Sequence, residues 1–187
     1  MKPQELLSIL SVAEKLKCNT RHCDTSSGRR ESVAEHSWRM TLMAMLLEDE
    51  FPDTDINKVI RMCLIHDLGE AFTGDIASFN KTETDAEKEL ALYQEWISQM
   101  PDYQKHQMTA LLEEMEALET KEAKLYKALD KMEAVLQHNE SDIASWLPLE
   151  YDLQLTYGSK EVEFSPYMKE LKNQLNVWTK EKIAKGK

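Results

Sequence analysis

The chain has 187 residues, a net charge of −11 and 30% charged residues. That length fits one domain whose core needs no disulfide support. The acidic balance, with no basic stripe, argues against polymeric nucleic acid as a partner. The three cysteines, Cys18, Cys23 and Cys63, are an odd number. No charged-then-apolar leader stands at the start, and no run approaches the ~20 apolar residues of a membrane span. The expectation is a reducing cytoplasm and no membrane association.

The pattern is helical almost throughout. Pro3 opens a segment whose apolar residues Leu6, Leu7, Leu10, Ala13 and Leu16 keep a 3.6-residue period. Asn19 to Arg30 reads as an aperiodic loop. Ser32-Val33-Ala34-Glu35 is a capping box, and the helix it opens is expected to reach about Glu50 and bury Trp38, Leu42, Met45 and Leu46. Asp55 caps the next helix, Ile56 to Gly69. Helical pattern then runs from Thr84 to Gln99, from Pro101 to Leu118 and from Thr120 to Asn139. A broken stretch, Asp142 to Gly158, contains Pro148, and Ser165-Pro166 opens a last helix to about Ala184. No alternating β-branched run reads as a strand. The fold class is all-α, a bundle of seven or eight helices forming a single domain over residues 1–187.

His66-Asp67 ends the apolar segment Val59-Ile60-Arg61-Met62-Cys63-Leu64-Ile65. Burying such a pair unsatisfied costs roughly 2–7 kcal/mol per polar group, and a divalent cation satisfies both at once. His36, one turn past its helix cap, and Asp130, beside the apolar stripe Leu125, Leu129, Met132 and Leu136, offer two further ligands. Two imidazoles and two carboxylates suit one divalent ion, Mn, Co, Ni, Fe, Zn or Mg. Taken singly, His36 fits a hydrogen-bonded core histidine and Asp130 a surface ion pair with Lys127 or Lys131. The order and spacing of the set make the stronger statement.

The local contexts are Glu31-Ser32-Val33-Ala34-Glu35-His36-Ser37, His66-Asp67-Leu68-Gly69-Glu70, Thr73-Gly74-Asp75-Ile76 and Lys127-Ala128-Leu129-Asp130-Lys131. In this order they resemble the HD superfamily of metal-dependent phosphohydrolases, in the branch of the bacterial 5′-deoxynucleotidases and HD-domain-containing protein 2, from about Leu6 to Gly158. The resemblance implies metal ligation by His36, His66, Asp67 and Asp130. It also implies attack by a metal-bound water on the phosphorus of a (deoxy)nucleoside 5′-monophosphate. Glu70 then orients that water or handles its proton, together with Asp67 at the metal. Arg21, fifteen residues before His36, matches the phosphate-contacting arginine, with Arg29 and Arg30 in the same loop. Asp75 matches an aspartate near the sugar. His22 stands where the bacterial enzymes carry tryptophan against the sugar 2′ position, which leaves deoxyribose selectivity open. A homodimer is implied as well.

Two other readings compete. An HD phosphodiesterase or guanosine-polyphosphate hydrolase with two metals calls for more histidines between the pair and the last Asp, where this chain has only His106. A non-catalytic nucleotide-binding module calls for a lost ligand, and this chain keeps all of them.

Overall fold

The computed structural model describes residues 1–186. The chain runs α1 (Pro3–Ala13), β1 (Thr20–Asp24), β2 (Arg30–Ser32), α2 (Val33–Leu46), α3 (Ile56–Ile65), α4 (Glu70–Thr73), α5 (Glu83–Ser98), α6 (Asp102–Ala117), α7 (Lys121–Glu140), α8 (Glu150–Thr156) and α9 (Pro166–Lys185), with short 3-10 turns between some of them. The all-α class stands: α4 and α8 are short, and the other seven helices are ten residues or longer.

The starts of these helices follow from their caps. Ser32 Oγ accepts from Glu35 N while the Glu35 carboxylate accepts from Ser32 N, so both ends of the capping box are closed. Asp55, Thr82, Thr120 and Ser165 each accept from a first-turn amide of α3, α5, α7 and α9. These bonds satisfy amides that have no partner within the helix.

Three expectations need correction. The stretch read as an aperiodic loop contains β1, paired antiparallel with β2. Strands of five and three residues are too short to show alternation, and the hairpin is closed by Thr25 N donating to Arg29 O (2.7 Å) and by Gly28 at φ +79°. The helix expected to run through Gly69 stops at Ile65, and α4 begins as a separate turn at Glu70. The third correction concerns which faces are buried. In α2 the inner face is Val33, His36, Ser37, Met40 and Ala44, while Trp38, Met45 and Leu46 are exposed and Leu42 is half-buried. Of the periodic set at the N-terminus, Leu6, Leu7 and Leu10 are exposed, while Ala13 and Leu16 reach the core together with Ile9 and Val12.

The centre of the molecule is α7, packed against α2, α3, α6 and α9. Leu125, Leu129, Met132 and Val135 are fully buried and share one core cluster with Met40, Val59, Met62 and Met168 of the surrounding helices. A helix enclosed on several sides also buries its polar residues, and Asp130, Glu133, Gln137 and Asn139 are all inside. Those polar positions build the site. Gly158, at φ +76°, lets the chain after α8 lie on α7: a Cβ there would sit 2.6 Å from Lys131 Cβ.

Candidate functional site

The end of α3 prepares His66. Its last carbonyls lack partners within the helix. Tyr93 Oη donates to Ile65 O (2.9 Å), and His66 Nδ1 donates to Cys63 O (2.8 Å). The second bond fixes the imidazole tautomer, leaving the Nε2 lone pair to point away from the helix. His36, fully buried on α2, is held the same way by a carboxylate: its Nδ1 bonds Glu133 of α7. Glu133 is tied in turn by Arg39 Nε (2.6 Å).

With both Nδ1 atoms donating inward, the two Nε2 atoms face each other at 3.3 Å. Asp67 Oδ2 lies 3.0 Å from His66 Nε2 and 3.8 Å from His36 Nε2, and Asp130 Oδ1 lies 3.4 Å from His36 Nε2. Two neutral imidazoles cannot present lone pairs to one another at this distance without a proton or a cation between them. The donor set therefore fits a divalent ion. The inward bonds to Glu133 and Cys63 O are the outer contacts that orient ligating histidines. Without a cation the protein uses protons. Burial and Arg21 push His36 down, but Glu133 and Asp130 outweigh them and lift it to about 9. Asp67 is held below the usual carboxylate range: burial opposes this, and His66 and His36 prevail. Asp130 is also held low, since Lys131 and Lys127 outweigh its burial.

These groups open on a cavity of about 500 Å³ lined by Arg21, His22, His66, Asp67, Glu70, Asp75 and Asp130 among others. Glu70 is 5% exposed, and its Oε2 has no hydrogen-bond partner among the described residues. Burial, together with Asp67, Asp75 and Glu89, pushes its carboxyl up to about 10. It reaches the cavity from the start of α4, where Asn19 Nδ2 donates to Glu70 O (2.6 Å). Arg21, on β1, has Nε 3.2 Å from Glu31 and Nη1 3.8 Å from Asp67, which aims the guanidinium along the cavity wall. Asp75 follows Gly74, whose φ of +77° makes the turn out of α4. His22 packs edge-on to Phe79 (5.3 Å) and lies 3.3 Å from buried Glu150.

Arg21, His22, His66, Asp67, Glu70, Asp75 and Asp130 thus line one cavity, with His36 buried behind His66 and Asp130. Arg29 and Arg30 do not: they pair with Glu35 and Asp24 on the surface. His106 is exposed on α6. Residues that the sequence reading missed are Glu31 and Glu133, behind Arg21 and His36, and Glu150, His138 and Gln154 at the far end. Lys127 and Lys131 entered only as neighbours of Asp130, yet each Nζ lies 3.1 Å from its Oδ2 and both line the cavity. Glu133 had a signal, lying one turn past Asp130 on the same helix; the others are joined to the site only by the fold.

A family profile described as HD domain matches residues 13–172. The chain belongs to the HD domain family. Within it, the 5′-deoxynucleotidase HDDC2 of Xenopus laevis is 40% identical over 109 residues, 57% of this chain and 53% of that protein. The protein of the same name from Bos taurus is 31% identical over 157 residues, 82% of this chain and 75% of its own length. In several such alignments the chain spans about half the length of the curated relative it matches. The HD domain also superposes on the crystal structure of a predicted metal-dependent phosphohydrolase from Magnetospirillum magnetotacticum MS-1. The TM-score is 0.80 at 29% identity, covering 98% of this chain and 93% of that one.

Proposed function

We propose that the chain is a divalent-metal-dependent 5′-nucleotidase that releases phosphate from (deoxy)nucleoside 5′-monophosphates, through one HD domain over residues 1–187. One observation carries the reading. A single cavity gathers inward-facing N and O donors, a guanidinium and a buried, unpartnered carboxylate oxygen around the space for one small anion. The activity named for the relatives agrees with it.

In this reading His36, His66, Asp67 and Asp130 hold one ion. When bound, that ion supplies charge neutralisation at the phosphoryl group and acidifies water. Arg21, braced by Glu31, clamps phosphate oxygens, as a guanidinium does in a bidentate contact. Glu70, whose carboxyl is held up by burial and by Asp67, Asp75 and Glu89, would be drawn down by a cation beside Asp67 and then takes or orients a proton at Oε2, which has no partner among the described residues. Asp75 accepts from a sugar hydroxyl, and His22 lies against the sugar.

The test is phosphate release from a panel of nucleoside 5′-monophosphates with Mn, Co, Ni, Fe, Zn or Mg, against a chelator control. Turnover that depends on metal supports the reading. Tight binding of monophosphates with no hydrolysis of any would point to a binding module. Preference for cyclic or guanosine polyphosphates would point to the two-metal hydrolases, for which exposed His106 is a poor second-site ligand.

We also propose a homodimer in a reducing, cytoplasmic setting. Exposed Leu7, Trp38 and Leu46 and three free cysteines, two of them buried, support these points. Among the described residues no helix is long and apolar enough to cross a membrane.

A further inference from the structure

Two helices form the long wall of the cavity. From α7 come Lys127, Asp130, Lys131, Ala134 and His138, which share one face. At about 1.5 Å per residue, Asp130 and His138 are roughly 12 Å apart along the axis, comparable to the length of a nucleoside. From α8 come Glu150, Leu153 and Gln154, with Tyr157 just past its end. The direction of α8 is fixed at both ends. Lys131 Nζ donates to Tyr157 Oη (3.1 Å), and His138 Nε2 bonds Glu150 Oε1 (2.9 Å). The helix therefore runs antiparallel to α7, with Tyr157 at the phosphate end and Glu150 at the far end. Gln154 sits one turn, about 4.5 Å, in from Tyr157.

Gln154 is 4% exposed, and its buried Oε1 accepts no hydrogen bond among the described residues. Its neighbour Glu150 is well satisfied by His138 and by Leu147 N (2.6 Å). A buried carbonyl left unpaired is costly, so such an atom on a cavity wall marks where a ligand donates. One turn from the phosphate-facing cluster, and one turn short of Glu150 against which His22 lies, that donor is a sugar hydroxyl. Asp75, from the loop after α4, is a second acceptor lining the same cavity. Acceptors on two walls match the two vicinal hydroxyls of ribose better than the single one of 2′-deoxyribose.

We infer that Gln154 is a specificity-determining residue that accepts a hydrogen bond from the ribose 2′-hydroxyl, making ribonucleoside 5′-monophosphates substrates of this cavity. The inference rests on the monophosphatase reading above.

The test compares ribo-, 2′-deoxy- and 2′-fluoro-2′-deoxynucleoside monophosphates of one base, by kcat/KM and by calorimetric binding, in wild type and Gln154→Leu. The expected result is a ribose advantage of roughly two- to tenfold over both analogues, the worth of one hydrogen bond, that collapses in Gln154→Leu. A wild type that favours deoxyribose, or a ratio unmoved by Gln154→Leu, overturns the inference. If the variant does not fold, the wild-type comparison of ribose with 2′-fluoro decides alone, since equal values remove the hydroxyl donor. If no monophosphate is hydrolysed, the nucleotidase reading fails, and the binding ratios still judge Gln154.

Discussion

At the residue scale the most consequential contact is the 3.3 Å approach of the His36 and His66 Nε2 atoms. It is made by bonds on the opposite sides of the rings, to Glu133 and to Cys63 O. Glu70 stands apart from that set, since its Oε2 has no hydrogen-bond partner among the described residues. Glu70→Ala is expected to keep its metal, as measured by elemental analysis, and to lose about 10²–10⁴-fold in kcat. Near-normal turnover would remove Glu70 from proton handling. His22 bears on selectivity through bulk. It is half-buried against Phe79 and Glu150, so His22→Trp crowds the cavity at the level of the sugar. The expected outcome is a shift of kcat/KM toward deoxyribose substrates; an unchanged ratio would reject the steric account.

At the scale of elements, α2 and α7 are clasped by charge as well as by packing. Arg39 of α2 donates to Glu133 and to Gln137 and Glu140 of α7, and His36 bonds the same Glu133. Glu133 is fully buried; burial alone would raise its carboxyl, but His36 and Arg39, with Arg21, hold it down at about 2. A carboxylate with a depressed folded pKa adds stability that is present above its unfolded value, near 4.5, and is lost as pH falls toward 2. Glu133→Ala should therefore cost about 3–5 kcal/mol at pH 7, as for one partner removed from a buried pair. In urea titrations its deficit should shrink below pH 4.5; a deficit constant with pH would show that the loss is packing alone. The same two helices show why faces were harder to read than spans. Caps and period place α2 and α7 from local residues, Ser32 with Glu35 and Thr120. Hydrophobicity then selects Trp38 and Leu46 as the inner face of α2, whereas the bundle turns His36, Ser37 and Ala44 inward. Small residues permit close approach to α3 there, and a polar residue can be buried because α7 supplies its partner.

At the scale of the whole molecule, the site joins β1, α2, the end of α3, α4 and α7, so metal binding and folding are linked. A metal that binds only the folded chain stabilises it by about 2.7 kcal/mol at a hundred times its Kd. Added divalent ion should raise the melting temperature, and a chelator should reverse the gain. The effect has a predictable pH sign. His36, lifted to about 9, must lose its proton to ligate, so binding releases protons and metal affinity falls as pH drops from 9 toward 6. Affinity independent of pH over that range would show that Glu133 and Asp130 do not hold a proton on His36 before the metal binds.

Much of this was written locally. Helix starts and capping residues depend on residues close in the chain, whereas the donor set and the neighbourhood of Glu70, Arg21 and Asp75 were read from short motifs that resemble the HD family. Such signals survive without knowledge of the fold because backbone amides and periodic faces act over one or two turns. The hairpin carrying Arg21 and His22, the inward turn of α2 and the bracing of His36 by Glu133 across 97 positions were decided only by tertiary packing. So was the far wall of the cavity, where α8 brings Gln154 and Glu150 alongside α7. A buried polar atom finds its partner by position in space, and no spacing along the chain encodes that position.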